Sequence, residues 1–227
     1  MKAVAVRSLN VGKPSELSFG TKRVTTGIRK KSISVPVLLT ALNFEGDGQG
    51  DLVHHGGIDK AVCAYPFEHY SYWETQLGRT LPYGAFGENL TLHGLTEKEV
   101  CIGDSFQLGE AIVEVSQPRQ PCFKLALLYE RKDMPLLVQN SGFTGFYFRV
   151  LQEGMVSPSD HLMRLHSHEK AISVAEANRL MHHDKKDWEG IQRILEVSEL
   201  SVNWRTTFEK RLEGDEGDAS ARLLGQN

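Results

Sequence analysis

The chain has 227 residues, a net charge of −3 and an ordinary apolar fraction of 40%. This length is sufficient to bury a hydrophobic core without disulfides or metals. The charge balance lacks the basic excess that is typical of a nucleic-acid-binding protein. Three cysteines without a CxxC pair, no apolar segment after Met1 and no apolar run of membrane-spanning length favour a cytosolic protein with reduced thiols.

Short strands dominate the first 165 residues. Alternating or β-branched stretches predict strands at 2–9, 21–28, 33–40, 61–65, 88–92, 100–102, 105–108, 111–116 and 143–150. Residues 13–20 are predicted as a loop, and Gly103-Asp104 and Gly109-Glu110 suit tight hairpin turns. Helices are predicted at 67–77 and, with a break at Pro135, at 123–139. Many short strands with glycine turns and a few helices indicate a mainly β protein built on a barrel.

Three short amphipathic helices are predicted after residue 165. Ser173 and Glu176 form a capping-box pattern, and Asp187 and Ser201 are candidate caps for the next two helices. Their basic residues are interleaved with acids, which is more typical of a solvated face than of a DNA-binding helix-turn-helix. We therefore divide the chain into a barrel domain at 1–165, a three-helix extension at 166–213 and a mobile, Gly- and Asp-rich tail at 214–227.

Cys122 follows the strand 111–116 on a stiff loop, Gln117-Pro118-Arg119-Gln120-Pro121. The two prolines exclude a helix and favour extended backbone before them. Arg119 places a fixed positive charge near the thiol, and such a charge favours the nucleophilic, metal-binding thiolate. Most free cysteines are small buried hydrophobes, however, so the local pattern supports a structural and a reactive interpretation equally.

A second unusual stretch is the irregular segment 45–60, which ends in His54-His55-Gly56-Gly57-Ile58-Asp59-Lys60. Paired glycines let backbone N–H groups approach an anion, and Lys60 adds a positive charge. The basic excess of residues 1–40 is compatible with the same anionic ligand. The alternatives are a loop whose glycines only permit a turn, a zinc site without the usual ligand spacing, and a histidine base acting on Cys122.

Gly87-Glu88-Asn89-Leu90 opens the strand 88–92. A carboxylate and an amide at this place could contact a ligand, or they could form part of a turn or cap. On its own, this motif does not decide between the two.

The ordered set of motifs resembles the MOSC domain and is most similar to its bacterial YiiM-like branch. The resemblance is carried by Gly46-Asp47-Gly48-Gln49-Gly50-Asp51, by His54 to Val62, by Phe86-Gly87-Glu88-Asn89-Leu90, and by Gly103-Asp104 through Pro118-Arg119-Gln120-Pro121-Cys122. Ile58 departs from the pattern, which has proline at that position. The helices after residue 165 resemble the three-helix extension of the same branch.

The resemblance implies a distorted β-barrel that binds the molybdenum cofactor, molybdopterin, with Cys122 as the catalytic residue and the protein ligand of molybdenum. It implies cofactor-binding roles for Arg119, His55, Lys60, Gly56, Gly57, Asp59, Glu88 and Asn89. The implied activity is reduction of N-hydroxylated compounds such as 6-hydroxylaminopurine to the amine, which detoxifies N-hydroxylated bases. An external flavoprotein or iron–sulfur protein would supply electrons, because the chain has no flavin or iron–sulfur motif.

Two further hypotheses stay open at this point. Cys122 could carry sulfur as a persulfide, or the chain could be a non-enzymatic interaction module whose helices recruit a partner. Neither nucleic acid nor a membrane is an expected partner, and an aromatic-rich barrel with an appended helical bundle is compatible with a homodimer.

Overall fold

The protein is described by a computed structural model that covers residues 3–50, 56–215 and 217–225. The strands are β1 (Ala3–Val11), β2 (Ser15–Phe19), β3 (Lys22–Thr26), β4 (Lys31–Ser32), β5 (Val37–Leu39), β6 (Val62–Pro66), β7 (Leu90–His93), β8 (Ser105–Leu108), β9 (Ala111–Pro118), β10 (Phe146–Gln152), β11 (Gly154–Val156) and β12 (His161–His166). The helices are α1 (Tyr70–Leu77), α2 (Lys124–Tyr129), α3 (Met134–Ser141), α4 (Val174–His182), α5 (Trp188–Leu195), α6 (Val202–Leu212) and α7 (Ser220–Leu224), with 3-10 turns at Ile58–Lys60 and Phe67–His69.

Seven of the strands in the described residues close into a barrel. Their order is β12-β8-β9-β10-β6-β7-β1, and β1 pairs back onto β12 with Ala3 opposite Met163. Closure leaves the barrel without exposed sheet edges. The strand β4 extends β1, and β2-β3 and β5-β11 form two small separate sheets. The predicted mainly β barrel with a few helices is confirmed.

Two apolar clusters hold the fold together. The larger fills the barrel and continues without a break into the helical extension, since Phe106 and Phe148 belong to the same cluster as Leu180, Trp204 and Phe208. The smaller lies on the outside of the barrel, beneath α1, α2 and α3, and includes Tyr65, Trp73, Phe86, Leu125 and Met134. Burial of these apolar side chains fixes the helices on the barrel, and this packing determines where α2 begins.

Several predicted boundaries are wrong. Residues 15–19 form β2 and pair with β3, although they were predicted as a loop. Gly109-Glu110 joins β8 to β9 as predicted, but Gly103-Asp104 does not close a hairpin, because Cys101 bridges to Ser173 of the helical extension instead. Pro135 lies in the first turn of α3 rather than at a break, which is a position where its missing N–H costs no helical hydrogen bond.

The helical extension begins at α4, and its caps are mostly as predicted. The Ser173 hydroxyl accepts a hydrogen bond from the Glu176 N–H, and the Asp187 carboxylate accepts one from Gly190. The prediction for Ser201 is wrong, because its hydroxyl makes no capping bond. Instead Asp59, in the barrel domain, accepts a hydrogen bond from the Val202 N–H at 3.2 Å.

Residues 217–225 contain the short helix α7, which the sequence did not predict. The N–H of Phe123 donates to the carbonyl of Arg222 at 2.9 Å, so this segment contacts the loop that carries Cys122. In the described part of the chain, no helix combines the length and the apolar character that crossing a bilayer requires.

Candidate functional site

An open cavity lies where β9 ends and where β6 and β7 begin. The lining side chains that carry chemistry come from six separate stretches of the chain: Lys30, Gln49, Lys60, Cys63, Asn89, Arg119, Cys122, Lys124 and Tyr147. The remaining lining residues are small or apolar: Thr26, Gly27, Ile28, Gly48, Gly50, Phe86 and Gly87.

Cys122 lies on the connection between β9 and α2. Pro118, the last residue of β9, pairs with Phe146 of β10, and the N–H of Arg119 donates to the carbonyl of Gly145 at 3.0 Å. On the far side, the carbonyl of Cys122 accepts the N–H of Leu125 at the start of α2. The thiol is therefore held between a barrel strand and a helix, and the residue is only 6% exposed.

Arg119 brings a buried positive charge to this cavity. It is 6% exposed, and its Nη1 has no hydrogen-bond partner among the described residues. Burial lowers the pKa of Arg119, but the facing Cys63, Tyr147 and Cys122 raise it, and the net direction is upward. A buried guanidinium that keeps its charge and an unpaired donor indicates a place for an anionic or hydrogen-bond-accepting ligand.

Two further cavity residues face each other across neighbouring strands, Cys63 on β6 and Tyr147 on β10. Burial raises the pKa of the Cys63 thiol to about 11, despite the opposing effect of Arg119. Burial likewise raises the pKa of Tyr147. Both groups are therefore neutral at pH 7, and they contribute neutral hydrogen-bonding groups to the cavity wall rather than charged ligands.

Three lysines complete the basic lining of the cavity. Lys60 ends the 3-10 turn Ile58–Lys60, and Lys124 is the first residue of α2; both are more than nine-tenths buried. Lys30 forms a buried ion pair with Asp47, whose side chain is fully buried. Of the lining residues that the structure describes, none is a carboxylate, so the cavity presents positive charge.

Glu88 and Asn89 lie at the cavity, but their polar side-chain atoms form hydrogen bonds within the protein. The Glu88 carboxylate is fully buried and accepts hydrogen bonds from the Tyr70 hydroxyl, the Thr91 hydroxyl and the N–H groups of Gly84 and Phe86. Burial raises the pKa of Glu88, while these donors oppose the shift. The Asn89 side chain accepts the Cys63 N–H and donates to Asp47 and to the carbonyl of Asn10. Asn89 lines the cavity, whereas Glu88 does not.

Asp59 points away from the cavity lining and joins the barrel to the helical extension. Its Oδ1 accepts from Nε and Nη2 of Arg149 at 3.0 and 2.7 Å, and its Oδ2 accepts the Val202 N–H. Ser116 strengthens the same junction, since its hydroxyl donates to the Asp59 carbonyl and its own carbonyl accepts the Ser201 N–H. Asp59 thus fixes the turn that presents its neighbour, Lys60.

Gly56 and Gly57, which the structure describes, do not line the cavity. Gly57 adopts a φ of 97°, a conformation that favours glycine, and its carbonyl accepts the N–H of Lys60. Gly56 precedes it on the same turn. His55, together with His54, lies outside the described residues. The structure therefore brings together Cys122, Arg119, Lys60 and Asn89, and it places Glu88, Asp59, Gly56 and Gly57 around them.

The sequence did not single out Lys124 and Tyr147, which line the cavity, and it offered Cys63 only as a ligand of the alternative zinc site. They lie on a helix or on strands and have no local signature, so their position depends on strand pairing. A signal did exist for the segment 46–50, whose glycines permit very close packing. A Cβ at Gly27 would lie 1.9 Å from the carbonyl oxygen of Gly48, and one at Gly50 would lie 2.2 Å from that of Thr25.

Comparison with known proteins agrees with this geometry. Residues 51–163 match the family model described as the MOSC domain, and residues 172–215 match the model described as the YiiM-like, 3-alpha helix domain. The chain belongs to the YiiM-like family of MOSC-domain proteins. The resemblance inferred from the sequence is confirmed, as is the small helical domain after the barrel.

Individual relatives support the same assignment over nearly the whole chain. YflK of Bacillus subtilis (strain 168) is 56% identical over 207 residues, covering 91% of this chain and 94% of YflK. Protein YiiM of Escherichia coli (strain K12) is 40% identical over 205 residues, covering 88% of this chain and 91% of YiiM. The crystal structure of YiiM from Escherichia coli superimposes with a TM-score of 0.82 at 34% identity, covering 99% of this chain and 100% of the other.

A more distant relative carries an enzyme name. A protein named reductase from Gibberella moniliformis (strain M3125 / FGSC 7600) is 32% identical over 162 residues, which cover 70% of this chain but 29% of the reductase. Family membership and this relative together support a MOSC-type enzyme with oxidoreductase character.

The residues present fit the molybdenum cofactor that is associated with MOSC domains. The cavity offers one soft sulfur ligand on a braced loop, Cys122, and a cationic wall with an unpaired guanidinium nitrogen on Arg119. Among the described residues, no group of three or more His, Cys, Asp or Glu side chains could hold a metal ion by itself.

Proposed function

We propose that this protein is a molybdenum-cofactor-dependent oxidoreductase that reduces N-hydroxylated compounds, including base analogues such as 6-hydroxylaminopurine, to the corresponding amines. The observation that carries the proposal is the convergence of the Cys122 thiol with Arg119, Lys60 and Lys124 in one cavity without a lining carboxylate among the described residues. A soft thiolate suits a redox metal, and a cationic wall suits an anionic, phosphate-bearing cofactor.

Each residue has a defined part in this proposal. Cys122 is the protein ligand of molybdenum, and Arg119, Lys60 and Lys124 hold the anionic part of the cofactor. Asp59, Glu88, Gly56 and Gly57 shape the surrounding turns, and Asn89 ties β6 to the loop of Asp47. A cofactor contact by His55 stays a prediction, because that residue lies outside the described part of the chain.

When bound, the cofactor supplies two-electron redox chemistry. Reduction of an N-hydroxylamine to an amine consumes two electrons and two protons and releases one water molecule. The chain's own residues bind and orient the reactants, and the neutral Tyr147 and Cys63 groups hold protons at the wall of the cavity. Electrons come from an external flavoprotein or iron–sulfur protein, and the protein is expected to act in the cytoplasm, as a monomer or a homodimer.

The proposal is tested by producing the protein in a host that makes the cofactor and measuring molybdenum by elemental analysis. Reduction of 6-hydroxylaminopurine is then followed with a chemically reduced viologen as the electron donor. We expect Cys122→Ser to lose both the metal and the activity, because a hydroxyl is a poor ligand for a soft metal. Cys101→Ser is the matched control, since Cys101 lies outside the cavity lining.

Two results would overturn this assignment. A Cys122→Ser variant that retains molybdenum and activity would show that the thiol is not the ligand. A wild-type protein that contains no molybdenum but carries a persulfide on Cys122, detected by mass spectrometry, would favour the sulfur-carrier function instead.

A further inference from the structure

The carboxy-terminal segment contacts the Cys122 loop on both sides of the thiol. Arg222, in α7, donates a hydrogen bond from Nη1 to the carbonyl of Pro121, the residue before Cys122. The carbonyl of the same Arg222 accepts the N–H of Phe123, the residue after Cys122, at 2.9 Å. One residue near the end of the chain therefore binds the backbone immediately before and immediately after the cysteine.

This contact is anchored at other points of the barrel domain. The second guanidinium nitrogen of Arg222 donates to the side-chain oxygen of Gln139 in α3 at 2.8 Å. Lys22 donates from Nζ to the carbonyls of Leu224 and Gly225. Gly225 lies so close to the ring of Phe123 that a Cβ on it would approach a ring carbon to 2.8 Å. The contacts come from three separate elements, which is more than a freely moving tail would make.

Arg222 also brings charge to the thiol. It is half-buried, and burial lowers the pKa of Arg222 while its interaction with Cys122 opposes that change. Arg119 interacts with Cys122 in the same favourable sense. Two guanidinium groups, one from the middle of the chain and one near its carboxy-terminal end, thus place positive charge beside one sulfur.

We propose that Arg222 is a positioning residue for Cys122, and that residues 219–225 form a carboxy-terminal clamp that fixes the Cys122 loop and adds a second cation beside the sulfur. The functional value of the clamp rests on the proposed role of Cys122 as the reactive thiolate, but its existence does not depend on molybdenum. The clamp predicts that the chemistry of Cys122 depends on a residue 100 positions away, which no local motif around the cysteine shows.

The clamp is tested by the rate at which Cys122 is alkylated in the full-length, cofactor-free protein, with each modified cysteine assigned by peptide mass spectrometry. The rates are taken from the high-pH plateau, where the thiol is ionised in every variant, so the neutral reagent iodoacetamide reports access to the sulfur alone. Iodoacetate, which is an anion, reports access and local positive charge together. The ratio of the two rates therefore isolates the charge effect from any opening of the loop.

We expect Arg222→Ala to raise the iodoacetamide rate at Cys122 about tenfold, because a charge-assisted hydrogen bond that holds the loop is lost. The iodoacetate-to-iodoacetamide ratio should fall about threefold, on the order expected for one partly screened charge. Arg222→Lys should keep the ratio of the wild type while still raising the iodoacetamide rate, because an ammonium keeps the charge but cannot bridge Pro121 and Gln139. A chain that stops after Asp218 should behave like Arg222→Ala.

Arg193→Ala is the matched control, since Arg193 is an exposed arginine of the helical extension, and it should change neither rate. Circular dichroism confirms that each variant is folded before alkylation. Unchanged Cys122 rates in both Arg222→Ala and the shortened chain would overturn the clamp. A fall of the ratio that is equal in Arg222→Ala and Arg222→Lys would overturn the electrostatic part. Because all rates are measured without cofactor, failure of the clamp and failure of the molybdenum assignment are separate results.

Discussion

The buried ion pair of Asp47 and Lys30 is expected to stabilise the chain segments around the cavity. The Asp47 side chain is 0% exposed and that of Lys30 is 7% exposed. Asp47 also accepts hydrogen bonds from the Gly12 N–H and from the Asn89 side chain, each at 2.8 Å. The carboxylate therefore joins three segments, and two of them, those of Lys30 and Asn89, line the cavity. Loss of the carboxylate should affect all three.

We expect Asp47→Asn to lower the free energy of unfolding by about 3–5 kcal/mol, because Lys30 then keeps a buried charge without its counterion. Lys30→Met should cost less, since the Asp47 carboxylate still has two hydrogen-bond donors. The double variant should be more stable than Asp47→Asn alone, because removing the second charge ends the desolvation penalty. The expected coupling between the two sites is about 1–3 kcal/mol.

The assay is urea unfolding followed by tryptophan fluorescence and by circular dichroism. Trp73 reports on the outer cluster and Trp204 on the helical extension, and both are buried. Coincident transitions by the two methods would justify two-state free energies. The reasoning is refuted if the double variant is as unstable as the sum of the two single variants, because the charges would then not be coupled.

Two other predictions concern pH dependence and the junction of the domains. Burial, with smaller effects from nearby cations, lowers the pKa of His182 from 6.5 to about 3, so the folded state favours the neutral ring. The stability that this neutral ring contributes is complete above pH 6.5 and is lost as pH falls towards 3. Between pH 6.5 and pH 5, the free energy of unfolding measured in urea should fall by about 2 kcal/mol more in the wild type than in His182→Leu. An equal fall in the two proteins would contradict this prediction. Asp59→Asn should destabilise the junction by about 1–3 kcal/mol and speed hydrogen exchange at the start of α6. Arg149 then keeps only Glu114 as an anionic partner, and the carboxylate that accepts the Val202 N–H is lost. Glu196→Gln, at an exposed ion pair with Lys170, is the control and should leave exchange at α6 unchanged.

The sequence predicted those features that depend on neighbouring residues. The alternation in 111–116 identified β9, the Gly109-Glu110 turn identified the β8–β9 hairpin, and Ser173 with Glu176 identified the start of α4. In each case, the hydrogen bonds or the packing that define the element lie within a few positions in sequence. Such local agreement is what sequence patterns can report.

Features that depend on distant partners were not predictable in the same way. Ser201 occupies the cap position of α6, but the bond to the first helical N–H comes from Asp59, 143 positions away from Val202. The strand β12 has little alternation, yet it closes the barrel by pairing with β1. Arg222 lies in a segment whose composition indicates a tail, although it binds the backbone on both sides of Cys122. Long-range pairing of this kind leaves no periodicity in the sequence.

The motif residues around the cavity separate into two classes by how their polar atoms are used. The carboxylates of Asp47, Glu88 and Asp59 are occupied by hydrogen bonds or ion pairs within the protein, and none of them lines the cavity. Arg119, by contrast, keeps an unpaired nitrogen at the cavity wall. Placing the acids in the supporting turns keeps negative charge off the lining, where it would repel an anionic cofactor. Motif spacing alone cannot make this distinction, since residues of both classes are polar and occur in the same motifs. The supporting residues are identified instead by their hydrogen bonds, because their polar side-chain atoms are fully bonded within the protein.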